Sequence, residues 1–552
     1  MIGIVVALVL AGIGWLGGPA VATAADPGTS ASEVEGSDAE VVLELGQADR
    51  IRAMALLAAR QSRHLDRAHA PDKSIKPVRV VYRREPSVIL LARRTPYTLG
   101  ELRAAFPAAL TTDGDGVWLL HEHVVVGPGA HLVLASPEVR ELRLLSTSTR
   151  FVTIAGWAAA IDVRGTGAGP LRITSWDPAS GAPDRKRTDG RAYIVAKGGR
   201  MDVADAHVTN LGFATGESSG IAWRGWPDIS SRGSVTRSSF IGNLFGAYTF
   251  EAIDMAWTDN LFAANIGYGF DPHDHSDRFT VTGNVAIGNG SHGIVFSRGC
   301  SGNVIRGNVS ALNGGNGFVL DDGHVAPDGN PRHERAIFSN YNVVEGNVAW
   351  DNKAGIALEG ASHNVVRHNL LAGNRVGIRL KDASSMNTLA GNAVASSSIF
   401  GIEIYAHSTD NAVTGNGIVS GKAGIILSDS TGTRINHNDI SLINGRGIVL
   451  AGDVADTSVT ANTIGGHGSA AIDAQSARGL LLDAVTGNPM LGWAEGGGSS
   501  PQIYSAASFV VHHPAILIWL LILLVPFAWW LPARRRRLLR RLRRSSPASG
   551  AP

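Results

Sequence analysis

From about Gly220 onward, apolar and polar positions alternate in short runs that return at a nearly fixed interval. A glycine followed by an apolar residue recurs at Gly246, Gly269, Gly293, Gly317, Gly355, Gly377, Gly401, Gly424 and Gly447. The intervals are 23, 24, 24, 38, 22, 24, 23 and 23 residues. The first and third positions after each glycine are apolar almost throughout: Phe270/Pro272, Ile294/Phe296, Phe318/Leu320, Ile356/Leu358, Ile378/Leu380 and Ile402/Ile404. Alternation of this kind buries one face of a strand and leaves the other outward. Asparagine keeps the same beat at Asn260, Asn284, Asn308, Asn347, Asn369, Asn392, Asn416, Asn438 and Asn462, and a second column runs Asn265, Asn289, Asn313, Asn352 and Asn374. Asparagine tolerates left-handed turns, and its amide can bond to a copy above and a copy below. A repeat of this length, built of short strands and turns, predicts one coil of a three-sided parallel β-helix, each coil about 4.8 Å above the last. About ten to twelve coils are expected. A leucine-rich repeat would need its Leu/Asn consensus, and a propeller a longer period.

The flanks follow other patterns. Residues 2–22 are apolar and uncharged and Ala22-Thr23-Ala24 offers a small-residue cleavage site, so 1–24 reads as a secretory signal peptide. No Lys or Arg precedes the run, which keeps an uncleaved N-terminal anchor as the alternative. Residues 25–40 read as a polar linker. Helical spacing from about Val41 to Ala68, then short β runs and a helix at Leu99–Phe106, suggest a small α/β pre-domain over 41–112. The β-helix is expected over 113–480 and a linker over 481–512. Residues 515–533 are apolar and charge-free, with Trp519, Trp529 and Trp530 near the ends, and predict a transmembrane helix over 513–533. Eight arginines crowd the 534–552 tail, which positive-inside logic places in the cytoplasm, leaving the repeat domain extracytoplasmic. The 38-residue interval exceeds one coil by about 14 residues, near 321–340, and is read as an excursion, either a lid or subsite loop over the site or an inert surface loop.

Charge refines this picture. Removing the eight tail arginines from the 49 basic residues leaves 41 against 47 acidic ones, so the body is mildly acidic and nucleic acid is not an expected partner. The single cysteine, Cys300, excludes an intrachain disulfide and any multi-cysteine metal site, and reads as a small buried thiol.

One coil breaks its own pattern. Where others carry Gly-Ile-x-Leu, residues 268–274 read Tyr-Gly-Phe-Asp-Pro-His-Asp. Alternation turns Phe270 and Pro272 inward and Asp271 and His273 outward, although a solvated turn would also hold these residue types. The outward positions of successive coils supply Tyr248 and Glu251; Asp271, His273 and Asp274; Ser297 and Arg298; Asp321 and Asp322; Glu359; Arg379 and Lys381; Glu403 and Tyr405. Arg298 should lie over Asp274, one strand spacing away. The row runs along the rod, as a groove for a linear polymer would, and Arg379 and Lys381 suggest an anionic polysaccharide.

The string YGFDPHD, with His292-Gly293-Ile294-Val295-Phe296-Ser297-Arg298 one coil later, resembles the mannuronan C5-epimerases of alginate biosynthesis, notably the periplasmic enzymes of alginate-secreting bacteria. Tyr193–Gly220 and Gly377-Ile378-Arg379 extend the resemblance, which covers roughly 115–470. It implies a right-handed parallel β-helix that removes the C5 proton of a polymer-bound uronate and returns one from the opposite face. The residues suit that chemistry: Arg298 to neutralise the substrate carboxylate, a protonated Asp271 to donate to it, and His273 as general base. The opposite-face acid is Tyr268 or a water. Asp274 orients His273 or Arg298, and His292 stands behind them. Asp321, Asp322, Arg379, Lys381, Glu403 and Tyr405 would line the polymer path. No cofactor is expected; Asp271, Asp274 and Asp277 are the residues that would hold Ca²⁺ weakly. Tethering points to action on a glycan as it leaves the cell, beside polysaccharide export machinery, or on a wall-associated one. A polyuronate lyase, a non-catalytic glycan-binding rod and an accessory protein for metal loading are the rival readings; the last lacks a Cys/Met array.

Overall fold

The computed structural model describes residues 38–491, except 69–74, 227, 323–338, 443, 444 and 482. The expected signal or anchor segment, the expected transmembrane helix, the basic tail and most of the expected 321–340 excursion lie outside the described residues. Among the described residues there are two helices, α1 (Asp38–Ala68) and α2 (Leu99–Ala105), and no helix is long and apolar enough to cross a membrane.

The rest is β-structure, stacked almost wholly in parallel into three long sheets. The second sheet is 14-stranded. The rod therefore has about fourteen levels rather than ten to twelve, because less regular coils precede the glycine column. In the first sheet Phe270 pairs with Ile294, Ile294 with Phe318, Phe318 with Ile356 and Ile356 with Ile378, as the glycine alignment requires. The pairing of Phe318–Asp321 with Ala354–Glu359 spans the long interval without a shift. The excursion thus leaves from a corner and the coil resumes in register.

Two forces hold the stack. Inward side chains form one continuous apolar core. Aromatic rings fill it beneath the unusual coil, where Phe262 stacks on Phe270 at 5.3 Å and Trp257 lies 4.1 Å from Phe270, and aliphatic residues fill it above. At the corners asparagine amides form ladders. The Nδ2 of Asn260 donates to Asn284 Oδ1, Asn284 to Asn308 and Asn308 to Asn347, at 2.9–3.0 Å, and the column continues to Asn488. A third column, Asn303, Asn342, Asn364, Asn387 and Asn411, accompanies the two read from the sequence. Each rung satisfies a buried amide that would otherwise cost roughly 1–3 kcal/mol. At Gly269 an added Cβ would lie 2.5 Å from the Gly293 carbonyl oxygen, which is why this corner accepts only glycine.

The 41–112 region, expected as a small α/β pre-domain, holds both helices and is continuous with the rod. Val78–Tyr82 and Glu85–Leu90 form an antiparallel pair, and the latter strand pairs in parallel with His123–Val126, so the segment caps and begins the first sheet. Helix α1 lies across the outward face of that sheet. Its Ile51 is buried with Phe151, Tyr193, Phe213, Ala222, Phe245 and Tyr248. Glu44 accepts hydrogen bonds from the Ser218 amide and hydroxyl at 2.9 and 2.7 Å, pinning the helix there.

Candidate active site

The strand Phe270–His273 ends where Asp274 and His275 enter the left-handed region, at φ 32 and 54. Ser276 Oγ donates to the His273 carbonyl at 2.8 Å and shares a hydrogen bond with Thr249 Oγ1 at 2.7 Å, which fixes this turn from below. Phe270 and Pro272 are buried inward, as alternation requires. Asp271 faces outward yet is only 1 % exposed, so the solvated-turn reading fails. Tyr248, its register partner one coil below, and the ring of His273 enclose it.

His273, Asp274 and Arg298 converge. Arg298 Nε lies 3.0 Å from Asp274 Oδ1, and His273 Nδ1 lies 3.4 Å from the same oxygen. The guanidinium is therefore over Asp274, one coil up, as expected. Its Nη atoms make no hydrogen bond among the described residues and are able to grip a carboxylate in the bidentate manner. The imidazole is held by two rings of the coil below, Tyr248 at 5.9 Å and Phe250 at 6.5 Å, the latter stacked.

Burial pushes the Asp271 carboxyl up to about 7; His273 opposes this and the charges of Asp274 and Asp321 add to it. Its Oδ1 is buried with no hydrogen-bond partner, as a carboxylic acid awaiting an acceptor would be. Burial alone would lower His273, but Asp274 and Asp271 outweigh it and hold the imidazole above its ordinary range. Burial would raise Asp274, and it is overcome by His273 and Arg298, which keep that carboxylate ionised. Asp271, at about 7, and His273, held above its ordinary range, influence each other, so their protons are coupled. The pair can take a proton from carbon at the imidazole while the carboxyl donates to a neighbouring oxyanion.

Other expected residues are placed differently. Tyr268 precedes its glycine at the corner, its ring between Phe245 at 4.9 Å and His292 at 5.3 Å. His292 Nδ1 accepts the Asn316 amide at 2.8 Å, and burial with Lys353 and Lys381 lowers its pKa to about 4; it ties two corners together. Asp321 lies in register with Ser297 and Glu359, and the Asp322 amide donates to the Glu359 carbonyl at 2.9 Å. Arg379 and Lys381 are not free cations. Arg379 Nε is 2.7 Å from Glu403, and Lys381 Nζ is 3.0 Å from Glu359 and 2.9 Å from Asp382. Tyr405 stands beside this network, its phenol raised by burial and by Glu403 and Asp382, against Arg379 and Lys381. Arg379 and Lys381 therefore do not point to an anionic polymer, contrary to expectation: each neutralises a neighbouring acid one strand away.

Among the described residues no three His, Cys, Asp or Glu side chains gather as a metal-binding group, so Asp271, Asp274 and Asp277 do not make the weak Ca²⁺ site considered for them. Cys300 is a buried thiol donating to the Ser297 carbonyl at 2.9 Å. Sequence reading passed over Arg224 and Phe250. Arg224 lies 4.4 Å over the Phe250 ring and 5.9 Å over Tyr248, and forms no ion pair among the described residues. The signal was available: Arg224 pairs with Phe250 and Phe250 with His273, so the three share one outward column.

Comparison with known proteins agrees with the motif. The family described as periplasmic copper-binding protein (NosD) matches residues 206–331 and 328–479. Mannuronan C5-epimerase AlgG of Azotobacter vinelandii is 30% identical over 215 residues, covering 36% of this chain and 39% of the relative. A mannuronan C5-epimerase of Pseudomonas putida is 28% identical over 222 residues, covering 38% of this chain and 41% of the relative. The chain thus spans about two fifths of the curated relatives it matches. The crystal structure of the periplasmic alginate epimerase AlgG superposes with a TM-score of 0.50 at 18% identity, over 74% of this chain and 86% of that one, a likeness of fold alone. In sequence the chain is similar to the mannuronan C5-epimerases, and in fold to the periplasmic alginate epimerase.

Proposed function

We propose that this protein is a polysaccharide-modifying isomerase that inverts C5 of uronate residues within an anionic linear polymer, of the mannuronate-to-guluronate type. The observation that carries the reading is the meeting of His273, Asp274 and Arg298 beside the buried, partnerless Asp271 oxygen on the outward face of the rod.

A C5 proton beside a carboxylate becomes acidic only when that carboxylate is neutralised. In the proposed pose the Nη atoms of Arg298 and the protonated Asp271 meet the substrate carboxylate, so charge arriving on its oxygens is met by fixed donors. Neutral His273 takes the proton, and Asp274 holds imidazolium and guanidinium in place. The intermediate collapses by protonation from the other face, by water or by Tyr268. Substrate class and stereochemical direction come by analogy with the relatives and are part of the proposal. So is anchoring by the apolar 513–533 segment with the domain outside the cell, near the polysaccharide export machinery; fractionation of tagged protein from native membranes tests it.

Incubation with polymannuronate in D₂O, followed by proton NMR, tests the reaction. Deuterium at C5 together with a guluronate signal is the expected result. Unsaturated chain ends would identify a lyase, and no exchange on any polyuronate would leave a glycan-binding rod.

A further inference from the structure

The column that holds His273 continues down the rod. Trp157 pairs with Lys197, Lys197 with Arg224, Arg224 with Phe250 and Phe250 with His273. These are four strand steps, about 19 Å at the usual spacing. At the far end the column enters an open surface cleft of about 480 Å³ between the sheet and α1. Its lining includes Trp157 and Lys197 from the sheet, Asp49 and Arg52 from α1, and Arg83 from the first hairpin.

This cleft is built rather than left over. Trp157 and Trp226 pack at 5.1 Å, and Lys197 Nζ lies 5.4 Å over the Trp157 ring. Gly198, at φ 58, lies directly beneath Trp226: an added Cβ would be 2.6 Å from the indole, so the backbone is kept bare for the aromatic pair. Positive charge exceeds negative. Arg83 is only loosely paired with Asp49, at 3.8 Å, and both are exposed; Lys197 is paired with Glu217; Arg52 is exposed and forms no ion pair among the described residues. A flat apolar ring near the unpaired Arg52 and the loosely paired Arg83 matches a uronate residue, which offers an apolar pyranose face and a carboxylate.

Resting on the proposed polyuronate reading, we propose that this cleft is a distal subsite of the same polymer track. An extended hexuronate chain advances by about one strand spacing per sugar. The cleft would therefore hold a residue about four sugars from the one at His273, with Trp157 as stacking surface and Arg52 and Arg83 as carboxylate partners.

The test is calorimetric titration of the full-length protein with oligomannuronates of two lengths, a tetramer and a decamer. The wild type should bind the decamer about tenfold more tightly than the tetramer, and Trp157→Ala should remove most of that ratio. Arg52→Glu, an exposed change on the helix surface that leaves packing intact, should do the same. Equal affinities for both lengths in the wild type, or an undiminished ratio in both variants, would overturn the distal subsite while leaving the catalytic reading in place. Failure of the wild type to bind either oligomer would overturn the polyuronate reading itself, and the subsite with it.

Discussion

In the coils before His273 the outward column reads Trp157, Lys197, Arg224 and Phe250, with aromatic rings, a guanidinium without an ion pair, and a helix along its flank. In the coils after it the column reads Ser297, Asp321, Glu359 and Lys381, and its cations are matched by carboxylates one strand away. Backbone register runs through both halves, and the asparagine ladders run from Asn243 onward. What differs is which charges the fold has already satisfied. A cation facing outward says little about ligand affinity until its neighbours above and below are known, because parallel stacking sets every outward side chain within ion-pair reach of the next coil.

The largest test lies where the halves meet. His273→Ala should lower C5 exchange by about 10³-fold while melting temperature and far-UV dichroism stay near wild type; turnover within tenfold of normal would show that the base is elsewhere. Asp271→Asn should lower exchange by about 10²-fold, since an amide still donates but cannot share the proton. It should also stabilise the rod above neutrality. The wild-type carboxyl, at about 7 when folded and near 3.8 when unfolded, favours folding fully below the lower value, and that advantage is lost as pH rises to the higher. At pH 8 the amide should gain on the order of 4 kcal/mol over the wild type, and under about 1 kcal/mol at pH 4. For the same reason the wild-type rate should peak near neutrality. It should fall on the acid side as His273 takes a second proton, and on the alkaline side as Asp271 loses its own.

Smaller effects separate the halves. Arg224→Ala should raise KM for polymannuronate about tenfold and flatten its salt dependence, whereas Arg379→Ala should change KM by less than about twofold. Equal effects would erase the contrast. Least of all, Lys381→Met should cost about 1 kcal/mol in denaturant unfolding, because Glu359 is left half-buried without its partner, and should barely move KM.

The repeat was legible because stacking forces each corner to reuse one residue type: glycines where a Cβ would strike the next carbonyl, asparagines where an amide must bond both ways. The same register placed Arg298 over Asp274. The third asparagine column, with spacings of 39, 22, 23 and 24, was equally present and went unread, since the long interval disguises its first step. What the pattern could not convey is enclosure. Asp271 follows an alternation that marks it as outward, yet Tyr248 and the ring of His273 cover it. Nor could it convey that α1, far away in sequence, lies along the sheet and turns Trp157 and Lys197 into one wall of a cleft.

The corner at Asp322 has a consequence for how such a rod can diversify. The amide column steps from Asn303 to Asn342 as smoothly as anywhere else, so the lattice is closed on both sides of the intervening residues. The first sheet likewise pairs Phe318–Asp321 with Ala354–Glu359 without a shift, so sheet and amide column are both intact on either side of that corner. At that corner the chain between two rungs lengthens from 24 to 39 residues while the lattice keeps its register, so length can be added there at no cost to the stack.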